Sequence, residues 1–394
     1  MRVVVRTIVI AASCTLALAG CASGSRSDFG IINRDGAYPI GFPGVRFSIE
    51  DREAALALEQ GLSQGVPRGA DGHFDLIALS GGGSNGAYTA GLITAWTERG
   101  DRPDFEVVTG VSTGALAAPF VFLGPDYDDE LREAYTSDQA SDLLQNRGLR
   151  AFVGSGVFRA GPLRELIETY IDAALLERIA AEHNAGRTLL VATTDLDSER
   201  GVIWNMGAIA ARGGPEALEL FRDVLQASAS IPGAFPPVMI HAQRGLAADG
   251  APDVFSEMHV DGGVMNPFVA LPQMLWTWDD QNRVLEGGRV WVIVNGKADP
   301  ELEVTIDAPI SVAERALNAA LKANLRATLI ANAAFARRNA MEYHVAAIPE
   351  AFEGGDGLDF SKEARVAVFD LGRARMIADE AWTHFVEENE ARAR

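Results

Sequence analysis

Along the chain, short unbroken apolar runs alternate with longer stretches of helical period, and this alternation predicts a layered α/β/α domain. The run Phe74 to Ser80 is of the kind a strand needs when both its faces are covered. It leads into the glycine-rich stretch Gly81 to Gly86 and then a helix over Ala87 to Glu98. Phe105 to Thr109 reads as the next strand, and Ser112 opens the next helix. Residues 126 to 186 carry two helical stretches, around Leu131 to Leu144 and Pro162 to Glu182, which pack on the sheet or cover the site as a lid. Gly154-Ser155-Gly156 between them is a candidate hinge. Thr188 to Thr194 and Val202 to Met206 read as neighbouring strands joined by a polar turn. Arg289 to Asn295 is a strand with apolar residues on both faces. A long Ala/Leu/Arg helix follows over Ile310 to Ala340, then a strand over Glu342 to Ile348 and a last helix over Gly372 to Ala393.

The N-terminal part has a different texture. Arg2 and Arg6 precede an apolar stretch from Thr7 to Ala19, which is too short to cross a bilayer as a helix and fits the core of a secretory signal. It closes in Leu18-Ala19-Gly20-Cys21, which resembles the signal box of bacterial lipoproteins, where the cysteine is lipidated and becomes the first mature residue. Ordinary signal cleavage beside an incidental cysteine is the plainer alternative. Residues 22 to about 50 are rich in Ser, Gly, Pro and Asn and read as a tether. Ile49 to Gln64 is an amphipathic helix, with Ala54, Leu58 and Leu62 one turn apart and Ser48 or Glu50 placed to start it. The expected organisation is therefore a signal over 1–20, a tether and helix over 21–70, and the main α/β domain over 71–394.

Charge narrows the partners. The formal net charge is −20, and −22 without residues 1–20, which carry two arginines and no carboxylate. Nucleic acid and free attraction to anionic headgroups are both disfavoured. Membrane contact then depends on an apolar or covalent anchor, for which Cys21 is the candidate. Only Cys14 and Cys21 are present, so a chain processed at Cys21 keeps no thiol for a disulfide or a metal. With Ala22, not Asp, after the cysteine, the resemblance to sorted lipoproteins implies export and the outer membrane of a Gram-negative host.

Candidate chemistry centres on Phe105 to Ala118. A serine at a sharp turn between strand and helix has its hydroxyl pushed out above the sheet, and Gly110 and Gly114 allow strand and helix to approach closely. The helix that follows aims its free N–H groups at an anion formed on an attacked carbonyl. The G-x-S-x-G spacing occurs three times, around Ser63, Ser84 and Ser112. Ser63 ends a helix. Ser84 lies between strand and helix but follows three glycines, a context that suits an anion cradle better than a nucleophile. Ser112 is the preferred nucleophile. Of the six histidines (His73, His183, His241, His259, His344 and His384), none stands where an α/β-hydrolase order requires, and His344 comes nearest. Ala115 occupies the third position after Ser112, so a Ser-x-x-Lys pair is excluded. The outstanding acid is Asp261, before Gly262 and Gly263, although an ordinary Asp-Gly turn is the plain reading of that dipeptide.

Gly81 to Gly86, Gly110 to Gly114 and Asp261-Gly262-Gly263, in that order, resemble the three signature motifs of the patatin-like phospholipases. The similarity includes Ala227 to Pro237 and spans about Phe74 to Pro272. It implies a three-layer α/β/α fold with a mainly parallel sheet and a Ser–Asp dyad, which accounts for the missing histidine. By position, Ser112 attacks the ester carbonyl and Asp261 accepts its proton. The oxyanion hole falls to Gly81, Gly82, Gly83 and Ser84, with Gly82 and Gly83 foremost. Lipid or other acyl esters are the implied substrates, without cofactor or metal. The family usually has Lys or Arg where Asn85 stands, which weakens a phosphate-bearing headgroup more than it weakens ester hydrolysis.

Two other classes fit parts of the chain. Gly81-x-Gly83-x-x-Gly86 between strand and helix also fits a dinucleotide fingerprint, with Glu106 as the acid about twenty residues on. A non-catalytic, membrane-tethered scaffold on the same fold is the third reading.

Overall fold

The computed structural model describes residues 36–138, 158–246, 252–270, 283–302 and 304–383. The signal segment, Cys21, the first part of the tether, the Gly154-Ser155-Gly156 hinge, the end of the Leu131 to Leu144 helix and His384 lie outside the described residues. After two short strands, β1 (Tyr38–Pro39) and β2 (Arg46–Ser48), comes helix α1 (Arg52–Ser63). Asp51 caps it, its carboxylate accepting from the N–H groups of Glu53 and Ala54 at 2.9 and 3.1 Å. Ser48 and Glu50, the expected starters, lie outside it, because Asp51 alone reaches two of the unpaired first-turn donors.

The middle of the sheet is parallel. It is formed by β3 (Asp75–Leu79), β4 (Val107–Val111), β5 (Thr188–Asp195), β9 (Arg289–Val294) and β10 (Glu342–Ala347), in the order β5-β4-β3-β9-β10. All of its pairings are parallel. An antiparallel flank extends it through β6 (Arg200–Asn205), β7 (Val238–Leu246) and β8 (Pro252–Asp261), with β1 and β2 at the margins. The described strands form one ten-stranded sheet.

Alternation along the strands builds the two outer layers. Ile77 and Leu79 of β3, with Trp291 and Ile293 of β9, pack on one face against α2 (Gly86–Arg99), α3 (Thr113–Leu123) and α10 (Lys362–Ile377). Leu76, Ala78, Val290 and Val292 pack on the other against α9 (Pro309–Arg338). Burying each of the Leu, Ile and Val side chains among these contributes roughly 1.5–3 kcal/mol, and the alternation fixes which strand face meets which layer. Between α3 and β5 lie α4 (Asp128–Thr136), α5 (Ala160–Tyr170) and α6 (Ala173–Asn184); α7 (Met206–Ala210) and α8 (Gly214–Ser228) precede β7. The single helix expected over Pro162 to Glu182 is thus two, broken at Asp172, whose carboxylate accepts from Leu175 N–H at 2.8 Å and starts the second.

Two boundaries shift for physical reasons. β4 starts at Val107, where pairing with Leu76 begins, and runs through Gly110 to Val111, so the turn follows the strand directly. The last described helix starts ten residues before Gly372. Gly372 is the point where α10 crosses α2: a Cβ there would lie 2.6 Å from the Tyr88 carbonyl oxygen. No helix among the described residues is long and apolar enough to cross a membrane.

Candidate active site

The site is built where one edge of β5 changes partner. That edge pairs with β4 up to Ala192, opposite Val111, and with β8 from Thr193, opposite Asp261. β6 occupies the other edge across both stretches. The residue after Val111 and the residue opposite Thr193 therefore meet: the Ser112 hydroxyl faces the Asp261 carboxylate, close enough to favour its ionised form.

Ser112 sits at φ 55°, ψ −125°, a left-handed conformation that a serine adopts only when its surroundings hold it there. The hold comes from both sides of the turn. A Cβ on Gly110 would lie 2.5 Å from the Gly114 carbonyl oxygen, and one on Gly114 would lie 2.4 Å from that of Leu79, so strand and helix touch backbone to backbone. The Ser112 N–H donates to Ser228 Oγ at 3.0 Å, and Ser228 Oγ–H donates to the Ala192 carbonyl at 2.7 Å. The Ser112 carbonyl takes the first bond of α3, from Ala115 N–H at 2.9 Å.

Asp261 is equally fixed. Its N–H donates to the Ser230 carbonyl at 2.9 Å, its carbonyl accepts from Thr194 Oγ1–H at 3.0 Å, and its Oδ1 accepts from Gly263 N–H at 2.7 Å. Burial raises its pKa to about 6, against the lowering effect of the Ser112 hydroxyl and the Gly263 N–H. The carboxylate thus titrates just below neutrality. Ala227 to Ser230 touches both residues, since Ser228 holds the serine backbone and Ser230 holds the aspartate backbone. The sequence singles out that run without assigning it a task.

The glycine loop after β3 lies beside the serine, with a Cβ on Gly81 placed 3.7 Å from Ser112 Oγ. Of its four expected oxyanion donors, two are occupied. Gly81 N–H donates to the Pro267 carbonyl at 3.3 Å, and Ser84 N–H donates to the Gly357 carbonyl at 2.9 Å. Gly82 and Gly83 remain, and their N–H groups have no hydrogen-bond partner among the described residues. Gly83 at φ 58° is a position for glycine alone, because a Cβ there would lie 2.0 Å from the Gly357 carbonyl oxygen. Ser84 is buried in the short 3-10 turn Gly83–Asn85, its hydroxyl donating to the Asp356 carbonyl at 3.2 Å. It meets no carboxylate and serves as a strut.

Two groups of residues that sequence reading passed over complete the loop. Asn295, just past β9, accepts from Thr89 Oγ1–H at 2.7 Å. It also donates its amide to the Ser80 carbonyl at 2.9 Å, so it ties the start of the loop to α2. The segment Gly355 to Gly357 lies over the loop and binds Ser84 and Asn85. Asn85 is buried and donates its amide to the Gly355 carbonyl at 2.8 Å, so it faces this segment rather than a substrate headgroup. Only the Asn295-Gly296 and Gly354-Gly355-Asp356-Gly357 turn signals hint at either group in the sequence.

An apolar cavity of about 60 Å³ opens beside the serine. Its walls include Gly83 and Ser84, the α3 stripe Thr113, Leu116 and Phe120, and Ile167 of α5. Among the described residues, Arg365 is the one charged side chain that lines it.

The other candidates separate from the site. His344 stacks on Trp291, with ring centroids 4.1 Å apart, and pairs with Glu342. His259 is fully buried between Thr193 Oγ1 and Glu257, His73 meets the Gly287 carbonyl and His241 meets Ser256. Glu106, the acid the dinucleotide reading needs, accepts from Asp75 N–H at the start of β3, at the opposite end of the strands from the glycine loop. Among the described residues, no group of three His, Cys, Asp or Glu side chains is placed to hold a metal.

The structure is similar to that of VipD from Legionella pneumophila, with a TM-score of 0.42 and 15% sequence identity over 81% of this chain and 70% of that one. A search of curated proteins found no match. Residues 77–272 match the family model of the patatin-like phospholipases. Through that domain, the chain belongs to the patatin-like phospholipase family.

Proposed function

We propose that this protein is a serine acyl hydrolase that releases fatty acid from lipid esters through an acyl-enzyme. Membership of a family of lipid-ester hydrolases gives the reaction class. The observation that carries the reading to these residues is the contact between a strained, buried serine and a buried aspartate, with no histidine among the described residues between them.

Ser112 Oγ attacks the ester carbonyl as its proton passes to Asp261. The oxyanion forms against the N–H groups of Gly82 and Gly83 at the positive end of α3. Collapse releases the alcohol, which takes the proton back from Asp261, and leaves Ser112 acylated. Water then attacks the acyl group, again losing its proton to Asp261, and the fatty acid leaves as Ser112 is restored. A carboxyl at its ordinary pKa of 3.8 is a poor base for a hydroxyl, whereas one at about 6 is closer to the working range while still ionised at neutral pH. Most of the rate falls to the oxyanion donors, each worth roughly a hundredfold or more. The acyl chain enters the cavity along Thr113, Leu116 and Phe120.

We also propose that the chain is exported and anchored through lipid on Cys21, at the outer membrane of a Gram-negative host. Loss of lipid labelling in Cys21→Ser would support this, and unchanged labelling would refute it. For the chemistry, a fluorophosphonate probe is applied to wild type, Ser112→Ala and Ser84→Ala. The expected result is labelling lost in Ser112→Ala alone. A folded wild type that takes no label in the presence of vesicles would overturn the reading.

A further inference from the structure

The segment between β9 and α9 carries Leu302, Val304 and Ile306 at relative exposures of 104, 94 and 72%. Isolated apolar residues on a surface are ordinary, but three aliphatic side chains in five residues, all largely uncovered, are not. They do not hang on a loose end. Glu301, immediately before them, pairs with Lys297 at 3.0 Å and with Lys322 of α9, and its carbonyl accepts from Arg315 at 2.6 Å. The segment is thus a spur clamped at its base.

Its place in the fold is informative. β9 runs parallel to β3 and β4, so the spur leaves the sheet at the end that carries the glycine loop and Ser112. α9, about 45 Å long, exposes Val312 and Leu317 next to the spur. Farther along, Asn324 donates to the Met265 carbonyl at 3.0 Å, just past the Asp261 turn. Spur, helix and site form one face.

We infer that Leu302, Val304 and Ile306 insert into the surface of a zwitterionic lipid bilayer and hold the Ser112 end of the sheet against it. Charge selects this occupant. Residues 297 to 307 carry four carboxylates against one lysine, in a chain of net charge −20, so an anionic surface is repelled. What remains to attract is apolar area, which suits a neutral lipid interface. The inference deepens the lipid-ester reading but is tested without it.

The full chain, N-terminal segment included, is bound to phosphatidylcholine vesicles brominated in the acyl chains. Val304→Trp adds a fluorophore at the spur. Ile377→Trp is the control, at the end of α10 where Arg99 meets the Met376 carbonyl, at the opposite end of the strands. Bromine is expected to quench the added emission of Val304→Trp and spare that of Ile377→Trp, in the Ser112→Ala background as well. Failure of the hydrolase reading would therefore leave this result untouched. Replacing Leu302, Val304 and Ile306 together by Ser is expected to lower hydrolysis of vesicle lipid about tenfold or more, with soluble short-chain ester turnover unchanged. Vesicle-bound Val304→Trp that is not quenched would overturn the inference, as would equal quenching of both tryptophans. A Val304→Trp emission that shifts with protein concentration without lipid would overturn it in favour of a second copy of the chain.

Discussion

Asp261→Asn is expected to make this protein more stable and inactive. In the wild type the carboxyl is held at about 6 instead of 3.8, chiefly because burial penalises its charge. Keeping it ionised at neutral pH costs the fold about 3 kcal/mol. Asn has the same shape without the charge: its Oδ1 still accepts from Gly263 N–H, and its amide faces Ser112 Oγ. The folded wild type binds the proton more tightly than the unfolded chain does. Its stability therefore falls as pH rises between 3.8 and about 6 and does not recover above that. The advantage of Asp261→Asn approaches 3 kcal/mol above pH 6 and shrinks to nothing below pH 4. Urea unfolding of both proteins, from about pH 4 to about pH 7.5, reads the difference directly. A difference that stays flat with pH, or an Asn variant less stable at neutral pH, would refute the assignment of Asp261 as a buried base under strain.

Other consequences are simpler to state. Turnover and probe labelling are expected to fall below about pH 6 with the loss of one ionised group, and His344→Ala is expected to leave that profile unchanged. Ser228→Ala removes the acceptor of Ser112 N–H and a donor to Ala192. It should cost about 1–3 kcal/mol in unfolding and lower kcat more than it raises KM. Gly83→Ala drives a Cβ against the Gly357 carbonyl and displaces an oxyanion donor, so hydrolysis should drop roughly a hundredfold or more in a chain that still folds by circular dichroism. Arg46→Met leaves Glu257 buried beside His259 without its arginine. Burial alone would raise Glu257, but His259 and Arg46 hold it at about 2, so the loss of roughly 3–5 kcal/mol seen in neutral thermal melts should lessen as acid protonates it.

The legible parts of the fold are those whose environment repeats along the chain. β3 and β9 are covered on both faces, so Leu76 to Leu79 and Val290 to Val294 are apolar without interruption. β7 and β8 were hidden because they are half-covered and carry His241, Gln243, Arg244, Ser256 and Glu257 among their apolar residues. Gly372 looked like a helix start and proved to be a helix contact. Strand-turn-helix context singles out Ser112, whereas the Asp-Gly-Gly turn by itself reads as an ordinary turn, and Asp261 stands out as its partner through the resemblance of the ordered motifs. The parts that hold them were not legible: Ser228 reaches Ser112 across 116 positions, and Asn85 reaches Gly355 across 270. A side chain bonded to a distant backbone leaves no periodic mark. Nor does a backbone N–H already taken, so the bonds from Gly81 to Pro267 and from Ser84 to Gly357 have no signal in the sequence.

On the proposed mechanism, the sheet accounts for a serine–aspartate pair with no histidine among the described residues between them. In a triad the base is carried on its own loop, and the third residue orients it from behind. Here the partner change at Ala192 and Thr193 brings the end of β8 beside the end of β4 with an offset of one residue, so that Asp261 faces Ser112 directly. Orientation, which a third residue supplies elsewhere, comes from main-chain bonds: Ser230 and Thr194 fix the aspartate backbone, and Gly263 fixes one carboxylate oxygen. The other carboxylate edge is left for Ser112. Burial in the same place lifts the carboxyl to about 6, so on the proposed Ser–Asp mechanism one feature of strand pairing would supply both the geometry and the basicity that a histidine supplies in a triad.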